Sequence, residues 1–450
     1  MKLNLISTLK FFTVLIALLF ISCSKENKVN KEEYLVTQDQ SLARNCATDD
    51  VHDILFNKNP ELRPESNKAY KLLEDYTKNF ASRVESNANY TIPVVVHIVH
   101  DNGAENISDQ AVLGGIQDLN DGMKGQTQNE SFIQPEFTGI KSENAPIEFV
   151  LAKYDPNGNP TSGIIRHQNS TYTVAGDNLD MKRDYGWPRE KYLNIYVTRK
   201  ARATSNTSGF AYYPYSVDAD DQAFKDGVVI AYWAFGRHAN LYNEWYYIIT
   251  HEVGHWLNLI HIWGETSNGS RRACRYDDQV SDTPNTQGNG YQERSQCGTR
   301  ETSCSSLDNT TNHMDYCAPC QAMFTQEQMD RMFAALNSPV ADRNNLWSAT
   351  NLDFVLNGIG DGGNNCDNLT DVQNLNATKV GKNWRLSWDV VNGAESYELE
   401  YRIVGGNWAS VLVTNTEYTM SVSRGVKYEA RVRALCGTQV SNWSTTVLFN

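Results

Sequence analysis

The chain lacks a block of basic residues and lacks a hydrophobic run long enough to cross a membrane. Its 53 Asp and Glu residues outnumber its 40 Lys and Arg residues, which gives a formal net charge of −13. Because no basic block offsets this charge, the composition argues against nucleic acid as a partner. The most apolar run, residues 11–21, falls short of the roughly 20 residues that a membrane-spanning helix needs. With 40% hydrophobic and 21% charged residues, the chain is instead globular and long enough for two or more domains.

Residues 1–22 are predicted to be a signal peptide, in which Lys2 and Lys10 precede the apolar run. Phe20-Ile21-Ser22-Cys23 resembles a bacterial lipoprotein cleavage box. This implies that Cys23 is lipidated and that the protein is an outer-membrane lipoprotein at the cell surface, with no other membrane contact. The alternative is ordinary secretion with loss of Cys23; lipidation is favoured because the cysteine falls at the end of the apolar run. Nine cysteines agree with an oxidising compartment.

The strongest chemical signal lies in one stretch of eleven residues. It reads His251-Glu252-Val253-Gly254-His255-Trp256-Leu257-Asn258-Leu259-Ile260-His261. Two histidines four residues apart lie one above the other on a helix, so both imidazoles can reach one cation. Glu252 follows the first histidine and lies beside the metal, where its carboxylate can take a proton from a metal-bound water. The pattern predicts a zinc site with Glu252 as general base.

His261 joins this site only if the helix ends before it. On a straight helix His261 would lie about 600° round and about 9 Å beyond His255, too far to share a metal ion. The chain must therefore turn back near residue 258 through a residue that accepts positive φ. Asn258 is suited to that conformation, since Asn adopts it more readily than other residues with a side chain.

The completed motif resembles HExxHxxGxxH of the metzincin clan of zinc peptidases, with Asn258 in place of glycine. About fifty residues after His261 are rich in Gly, Asn, Ser, Asp and Cys and lack helical periodicity. That absence excludes peptidases whose third metal ligand is a glutamate on a downstream helix.

Two downstream segments extend the resemblance. His313-Met314-Asp315-Tyr316 is similar to the clan's Met-turn, which implies Met314 as an apolar floor under the imidazoles and Tyr316 as a stabiliser of the oxyanion. Asp278-Gln279-Val280-Ser281-Asp282-Thr283-Pro284 resembles a calcium-binding loop of the pappalysin family. It implies Ca²⁺ ligands from Asp278, the Ser281 backbone and Thr283. The alternative for this loop is a solvated acidic turn.

Together these motifs resemble the pappalysin family over roughly residues 40–345. The resemblance implies the disulfide pairs Cys274 with Cys304 and Cys297 with Cys320, and leaves Cys317 without an assigned partner. Relatives that prefer substrates with a basic residue on the carboxyl side of the scissile bond (the primed side) carry an acidic residue after the Met-turn. The segment Cys317-Ala318-Pro319-Cys320 lacks one, so this preference is not predicted.

Arg44-Asn45-Cys46-Ala47-Thr48 looks like the cysteine switch of pappalysin-type propeptides. A thiolate is a good zinc ligand, so Cys46 could fill the open metal position and keep the enzyme silent. The alternative is a structural disulfide.

The remaining pattern predicts an α+β fold: a zincin-like catalytic domain with a twisted mixed sheet above the active-site helix, followed by an all-β sandwich. Residues 90–100 form a β-branched run typical of a buried strand, and His97 and His100 within it are assigned structural roles. Helices are predicted at residues 66–80 and 108–123, and strands at 147–152, 193–197 and 227–231. Gly209-Phe210-Ala211 is a candidate edge strand for substrate pairing.

Alternating residues around Trp384, Tyr397 and Tyr428 predict the sandwich, and the aromatic positions resemble a fibronectin type III module with Cys366 and Cys436 placed to close it. The predicted boundaries are a signal peptide (1–22), tether and propeptide (23–88), catalytic domain (89–345), linker (346–366) and sandwich (367–450).

The expected protein is a monomeric, latent zinc endopeptidase that acts on proteins and peptides. The competing hypothesis is a surface adhesin with a structural zinc site. A closed structural site normally has four protein ligands, whereas this motif offers three and an unused carboxylate, which favours catalysis.

Overall fold

The computed structural model describes residues 46–79, 89–175, 179–203, 207–237, 246–264, 266, 268–288, 296–317, 319–358, 369–391, 394, 396–413, 415–423, 425–436 and 439–450. The predicted signal peptide, the lipidation site Cys23 and the predicted disulfide partner Cys366 lie outside these residues. Among the described helices, none has the length and apolar composition to span a bilayer.

A six-stranded mixed sheet forms the centre of the fold. Its strands are β1 (Tyr90–His100), β2 (Ile147–Leu151), β3 (Ile164–Gln168), β4 (Leu193–Thr198), β5 (Gly209–Ala211) and β6 (Val228–Ala231). The order is β2-β1-β4-β6-β5, and β3 pairs with the second half of β1. All pairs are parallel except β5 with β6, so β5 is an antiparallel edge strand. The β-branched run of β1 is buried because both faces of this central strand are covered: Val94 and Val96 lie in the main core, and Val95 and Val99 lie in separate clusters on the other face. The predicted mixed sheet is confirmed.

The α-helices are α1 (Thr48–Lys58), α2 (Arg63–Lys78), α3 (Asp109–Met123), α4 (Asp180–Tyr185), α5 (Ile248–Trp256), α6 (Gln326–Leu336) and α7 (Ala349–Asn357). Every residue of α5 is buried. Helix α3 packs closely against it, because a Cβ placed on Gly122 would lie 2.5 Å from the Thr250 hydroxyl. On α6, Thr325 and Gln328 form a capping box, and Met329 and Met332 enter the main core. The active-site helix is therefore held on several sides.

The N-terminal segment, residues 46–79, consists of α1, α2 and their connections. On α1, Val51, Leu55 and Phe56 are buried in a cluster with Phe210 of β5. On α2, the buried Ala69 and Leu73 pack with Ala335 and Val340. Helix α2 begins three residues earlier than predicted, because Pro64 is favourable in its first turn.

The predicted linker, residues 346–366, is wrong in its first half. Residues 349–357 form α7, whose first turn is capped by the Ser348 hydroxyl. Phe354 and Val355 pack with Val95 of β1, and the Val355 carbonyl accepts hydrogen bonds from the Lys153 and Tyr154 backbones. The glycines that suggested a linker begin only at Gly358, which ends the helix at φ 65°.

The C-terminal part forms two antiparallel sheets that share a hydrophobic core, so the predicted sandwich is confirmed. A small hairpin of β7 (Thr302–Ser303) and β8 (Ser306–Leu307) precedes these sheets in the chain. The strands of the two sheets are β9 (Asn376–Val380), β10 (Asn383–Ser387), β11 (Ser396–Ile403), β12 (Ala409–Val413), β13 (Glu417–Ser421), β14 (Tyr428–Cys436), β15 (Gln439–Val440) and β16 (Val447–Phe449). One sheet has the order β13-β10-β9 and the other β12-β11-β14-β15, with β16 also on β14. Leu386, Leu399 and Val432 lie in the core between them. Cys436, at the end of β14, is buried and disulfide-bonded.

Candidate active site

The turn after α5 brings the third histidine back to the first two. Helix α5 ends at Trp256, and Asn258 has φ 74°. The Leu259 backbone N–H then donates to the Gly254 carbonyl at 2.9 Å, which closes the turn. The conformation expected of Asn258 is therefore present.

The three imidazoles converge through their Nε2 atoms. His255 Nε2 lies 3.2 Å from both His251 Nε2 and His261 Nε2. Two nitrogens bound at about 2.05 Å to a tetrahedral zinc ion would stand about 3.3 Å apart. The sulfur of Cys46 completes the group, and its four candidate ligand atoms lie within 4.8 Å of one another. The arrangement fits a zinc ion.

The other ring nitrogen of each imidazole, Nδ1, donates a hydrogen bond to an oxygen. His251 Nδ1 donates to the His313 carbonyl at 2.6 Å, His255 Nδ1 to the Leu259 carbonyl at 2.7 Å, and His261 Nδ1 to Asp49 Oδ2 at 2.9 Å. These bonds place the proton on Nδ1 and leave the Nε2 lone pair for a metal. Burial lowers the pKa of His255 to about 3 and also lowers the pKa of His251, so both rings stay neutral.

Glu252 is buried directly beside this cluster. Its Oε2 accepts a hydrogen bond from the Cys46 thiol at 3.2 Å, whereas its Oε1 has no partner among the described residues. Burial raises the pKa of Glu252 to about 8. A Cβ placed on Gly209 would lie 2.9 Å from the Glu252 carboxylate, so only glycine allows the edge strand to pass this close. Sequence reasoning flagged Gly209 only for substrate pairing and missed this contact.

Cys46 is a free, buried cysteine in the described structure, which favours the switch over the disulfide alternative. Burial raises the pKa of its thiol. The flanking backbone pairs with the edge strand, because the Ala47 N–H donates to the Gly209 carbonyl at 3.0 Å. The Ala211 N–H in turn donates to the Thr48 hydroxyl at 3.1 Å. The N-terminal segment thus reaches the histidines along β5.

Met314 and Tyr316 lie beside the histidine cluster. Met314 is buried, and a Cβ placed on Gly254 of α5 would lie 2.6 Å from its sulfur. The Tyr316 hydroxyl donates to the Cys46 carbonyl at 3.1 Å. Burial raises the pKa of Tyr316, so the hydroxyl remains a donor. The Trp263 ring stacks on His261 with ring centroids 4.4 Å apart. Sequence reasoning missed Trp263, although an aromatic residue so close to the motif was an available signal.

The Asp278 loop is an ordered cluster of oxygens. Asp278 is buried, and the Thr283 hydroxyl lies 2.7 Å from each of its carboxylate oxygens and 2.8 Å from the Val280 carbonyl. Burial raises the pKa of Asp278 to about 7. The alternative of a solvated turn is therefore wrong for Asp278. Ser281 is exposed, and its backbone N–H donates to Glu327 at 2.9 Å.

Arg331 of α6 joins this loop to the histidine turn. Its guanidinium donates to the Asn258 carbonyl at 2.9 Å and to the Gln279 side chain at 3.1 Å. Nothing in the helical pattern of α6 distinguished this arginine, because its role depends on two loops that fold against it.

Two disulfides cross-link the irregular segment beside the site. The structure contains the predicted bonds Cys274–Cys304 and Cys297–Cys320. Cys304 lies in the turn of a small hairpin formed by β7 (Thr302–Ser303) and β8 (Ser306–Leu307). Cys317 is a free, buried cysteine whose thiol donates to Asp315 at 3.1 Å. Cys317 therefore belongs to neither disulfide, and it lies next to the Met-turn.

Comparison with known proteins agrees with this geometry. The family model described as pregnancy-associated plasma protein-A, a peptidase family, matches residues 176–337, which include the three histidines and Met314. An extracellular metalloprotease of Arthroderma gypseum is 29% identical over 272 residues, covering 59% of this chain and 78% of the relative.

Two solved structures from Tannerella forsythia are also similar. Mature mirolysin in complex with a cleaved peptide is 32% identical, with 58% of this chain and 96% of that chain covered and a TM-score of 0.49. A promirolysin mutant is 29% identical, with 67% and 96% covered and a TM-score of 0.52. Residues 176–337 therefore belong to the pregnancy-associated plasma protein-A (pappalysin) family of metzincin-type metallopeptidases.

Proposed function

We propose that this protein is a zinc-dependent endopeptidase that its own N-terminal segment keeps latent. The observation that carries the proposal is the origin of the fourth candidate ligand. Three histidines come from one motif, whereas Cys46 comes from a segment some 200 residues earlier that lies along the edge strand. A catalytic zinc site has three protein ligands and one exchangeable position, and here removal of the N-terminal segment would open that position.

The competing adhesin hypothesis is weaker on the same observations. A structural site would keep all four ligands permanently, and it would have no use for a buried carboxylate beside them. The Oε1 of Glu252 has no hydrogen-bond partner in the part of the chain that the structure describes; such an oxygen is costly to bury in a structural site but is expected of a general base before its substrate arrives.

The proposed mechanism assigns a group to each catalytic step. His251, His255 and His261 would hold zinc, which supplies Lewis-acid polarisation of the scissile carbonyl. Glu252 takes the proton of the attacking water and then transfers it to the leaving amine as the C–N bond breaks. The Tyr316 hydroxyl, which now donates to the Cys46 carbonyl, would donate to the oxygen of the scissile carbonyl as negative charge develops on it.

In this proposal, the backbone and the apolar side chains of the N-terminal segment contribute to latency together with the Cys46 thiol. Ala47 and Thr48 occupy hydrogen-bonding positions of β5 along which a substrate would pair. Val51, Leu55 and Phe56 are buried, and each such side chain contributes about 1.5–3 kcal/mol when it is removed from water. The segment would therefore block substrate and shield the metal together, and proteolytic removal would activate the enzyme.

Chelation tests the proposed function. Protein freed of its N-terminal segment is expected to cleave casein, to lose that activity when zinc is chelated with 1,10-phenanthroline, and to recover it when zinc is restored. Zinc-loaded protein that cleaves neither casein nor gelatin would support the adhesin hypothesis instead.

We also propose that the Asp278 loop binds calcium. The predicted ligands are Asp278, the Ser281 backbone and Thr283, and the Val280 carbonyl adds a further hard oxygen beside Thr283; calcium would compensate the buried carboxylate. Calcium at 100 times its Kd is expected to stabilise the calcium-free protein by about 2.7 kcal/mol, measured as a rise in Tm. Asp278→Asn should abolish this rise. The exposed neighbour Asp277 provides the matched control, Asp277→Asn, which should keep it. An equal calcium response in Asp278→Asn would exclude the site.

A further inference from the structure

Asp49 of the N-terminal segment bridges two hydrogen-bond donors of the catalytic region. Its Oδ2 accepts from His261 Nδ1 at 2.9 Å, and its Oδ1 accepts from the Tyr213 hydroxyl at 2.9 Å. Asp50, the next residue, forms an ion pair with Arg202 at 2.9 Å. Of these two consecutive acidic side chains, the first therefore accepts two hydrogen bonds from the catalytic region and the second pairs with one of its cations.

Contacts within the catalytic region fix both donors. His261 directs Nε2 towards the other imidazoles and stacks on Trp263, so its Nδ1–H points towards Asp49. The Tyr213 ring stacks on Tyr215, with centroids 5.4 Å apart, and makes an edge contact with His255 at 5.6 Å. Tyr213 and Tyr215 also make edge contacts with His52 of the N-terminal segment, at 5.4 and 5.6 Å, and these are lost when the segment is removed. The stacked tyrosine pair and the contact with His255 remain to orient the Tyr213 hydroxyl.

The position of Asp49 is accessible from solvent. Its side chain is 51% exposed, whereas Tyr213 and His261 are buried beneath it. A side chain that approaches from solvent could therefore reach the same two donors without a rearrangement of the core. His261 contacts Asp49 through Nδ1 and His255 through Nε2, so the Asp49 position adjoins the candidate metal site.

We propose that His261 Nδ1 and the Tyr213 hydroxyl form a substrate subsite for an acidic side chain, and that Asp49 occupies it in the latent chain. The proposal rests on the peptidase function proposed above. Two donors that converge on a carboxylate make charge-assisted bonds, and a site built for such bonds disfavours a residue that cannot accept both.

The preference must arise locally, because the net charge of −13 repels acidic peptides at long range. Salt screens that long-range repulsion, whereas short hydrogen bonds in a partly buried site are screened less. The subsite would therefore discriminate between an acid and its amide at physiological ionic strength.

Paired peptides test the subsite in protein freed of its N-terminal segment. Starting from one fluorogenic peptide, pairs of variants are made at each position around the scissile bond. The two members of a pair differ only in carrying Asp or Asn, or Glu or Gln, at that position. At one position the acid is expected to raise kcat/KM about tenfold over its amide. Tyr213→Phe removes one donor and should reduce that ratio to about threefold or less. Tyr215→Phe, which removes the hydroxyl of the neighbouring ring, should leave the ratio as in the wild type.

A binding measurement separates recognition from turnover. Zinc-loaded Glu252→Ala protein without its N-terminal segment should bind the labelled acidic peptide more tightly than its amide partner, by a similar ratio in Kd. Equal rates and equal affinities for acid and amide at every position, in a protein that cleaves peptides, would overturn the subsite alone. A full preference retained in Tyr213→Phe would overturn it as well. Failure to cleave any peptide would instead overturn the proposed function.

Discussion

Glu252→Gln, made in protein freed of its N-terminal segment, is expected to lower kcat/KM on casein-derived peptides by about 10²–10⁴-fold, the contribution of a general base. The amide has almost the shape of the carboxylate and so fits the close contact with Gly209. It cannot accept the proton of the attacking water at neutral pH. Peptide hydrolysis with a sensitive fluorogenic substrate measures the loss.

Zinc content provides the control for this variant. Glu252 lies beside the converging Nε2 atoms and is not one of the grouped ligands, so Glu252→Gln should retain one zinc ion per chain. His255→Ala, by contrast, should lose both zinc and activity, because it removes the histidine that lies 3.2 Å from each of the other two. Appreciable activity in zinc-loaded Glu252→Gln would show that the proton is taken elsewhere and that the proposed mechanism is wrong.

Cys46→Ala is expected to make the unprocessed chain active, by at least about tenfold over the unprocessed wild type. The substitution removes the sulfur that lies at the open metal position and donates to Glu252. Loss of a contact worth about 1.4 kcal/mol changes the docking equilibrium tenfold. Activation should remain partial, since Val51, Leu55 and Phe56 still hold α1 in place. Initial rates on a short peptide, with the intact mass verified, measure the effect.

Cys317→Ala is the matched control for the latency experiment. Cys317 is also free and buried, but its thiol donates to Asp315 and is not among the metal ligands. This variant should remain latent until the N-terminal segment is removed. A Cys46→Ala chain as silent as the wild type would place the barrier to substrate entirely in α1, α2 and the backbone pairing with β5.

Elements with a strong local signal were predictable from sequence. Strand β1 has the predicted bounds, because a β-branched run bounded by polar residues is favourable only as a buried strand. His97 within it is buried and hydrogen-bonded to Asn194 at 3.0 Å, as its structural assignment requires. The turn at Asn258 followed from helix geometry, since no other arrangement lets three histidines at this spacing share a metal.

The linker error shows where local composition is misleading. Glycines after residue 357 suggested flexibility, yet α7 just before them is held by Phe354 and Val355 on β1. Whether a weak amphipathic helix forms depends on a partner surface elsewhere in the chain, and local sequence does not specify that surface.

By itself the sequence determined the metal chemistry: two histidines one helical turn apart, a carboxylate beside them, and a residue able to turn the chain back to the third histidine. Only the tertiary structure decided what surrounds them. Asp49 meets His261 across 212 residues, and Tyr316 meets Cys46 across 270. Residues so far apart become neighbours only when the sheet and α5 have set the distance between their backbones, because a side chain reaches only a few ångströms from its own Cα. The ligands are therefore encoded locally, whereas latency and the proposed acidic subsite depend on packing.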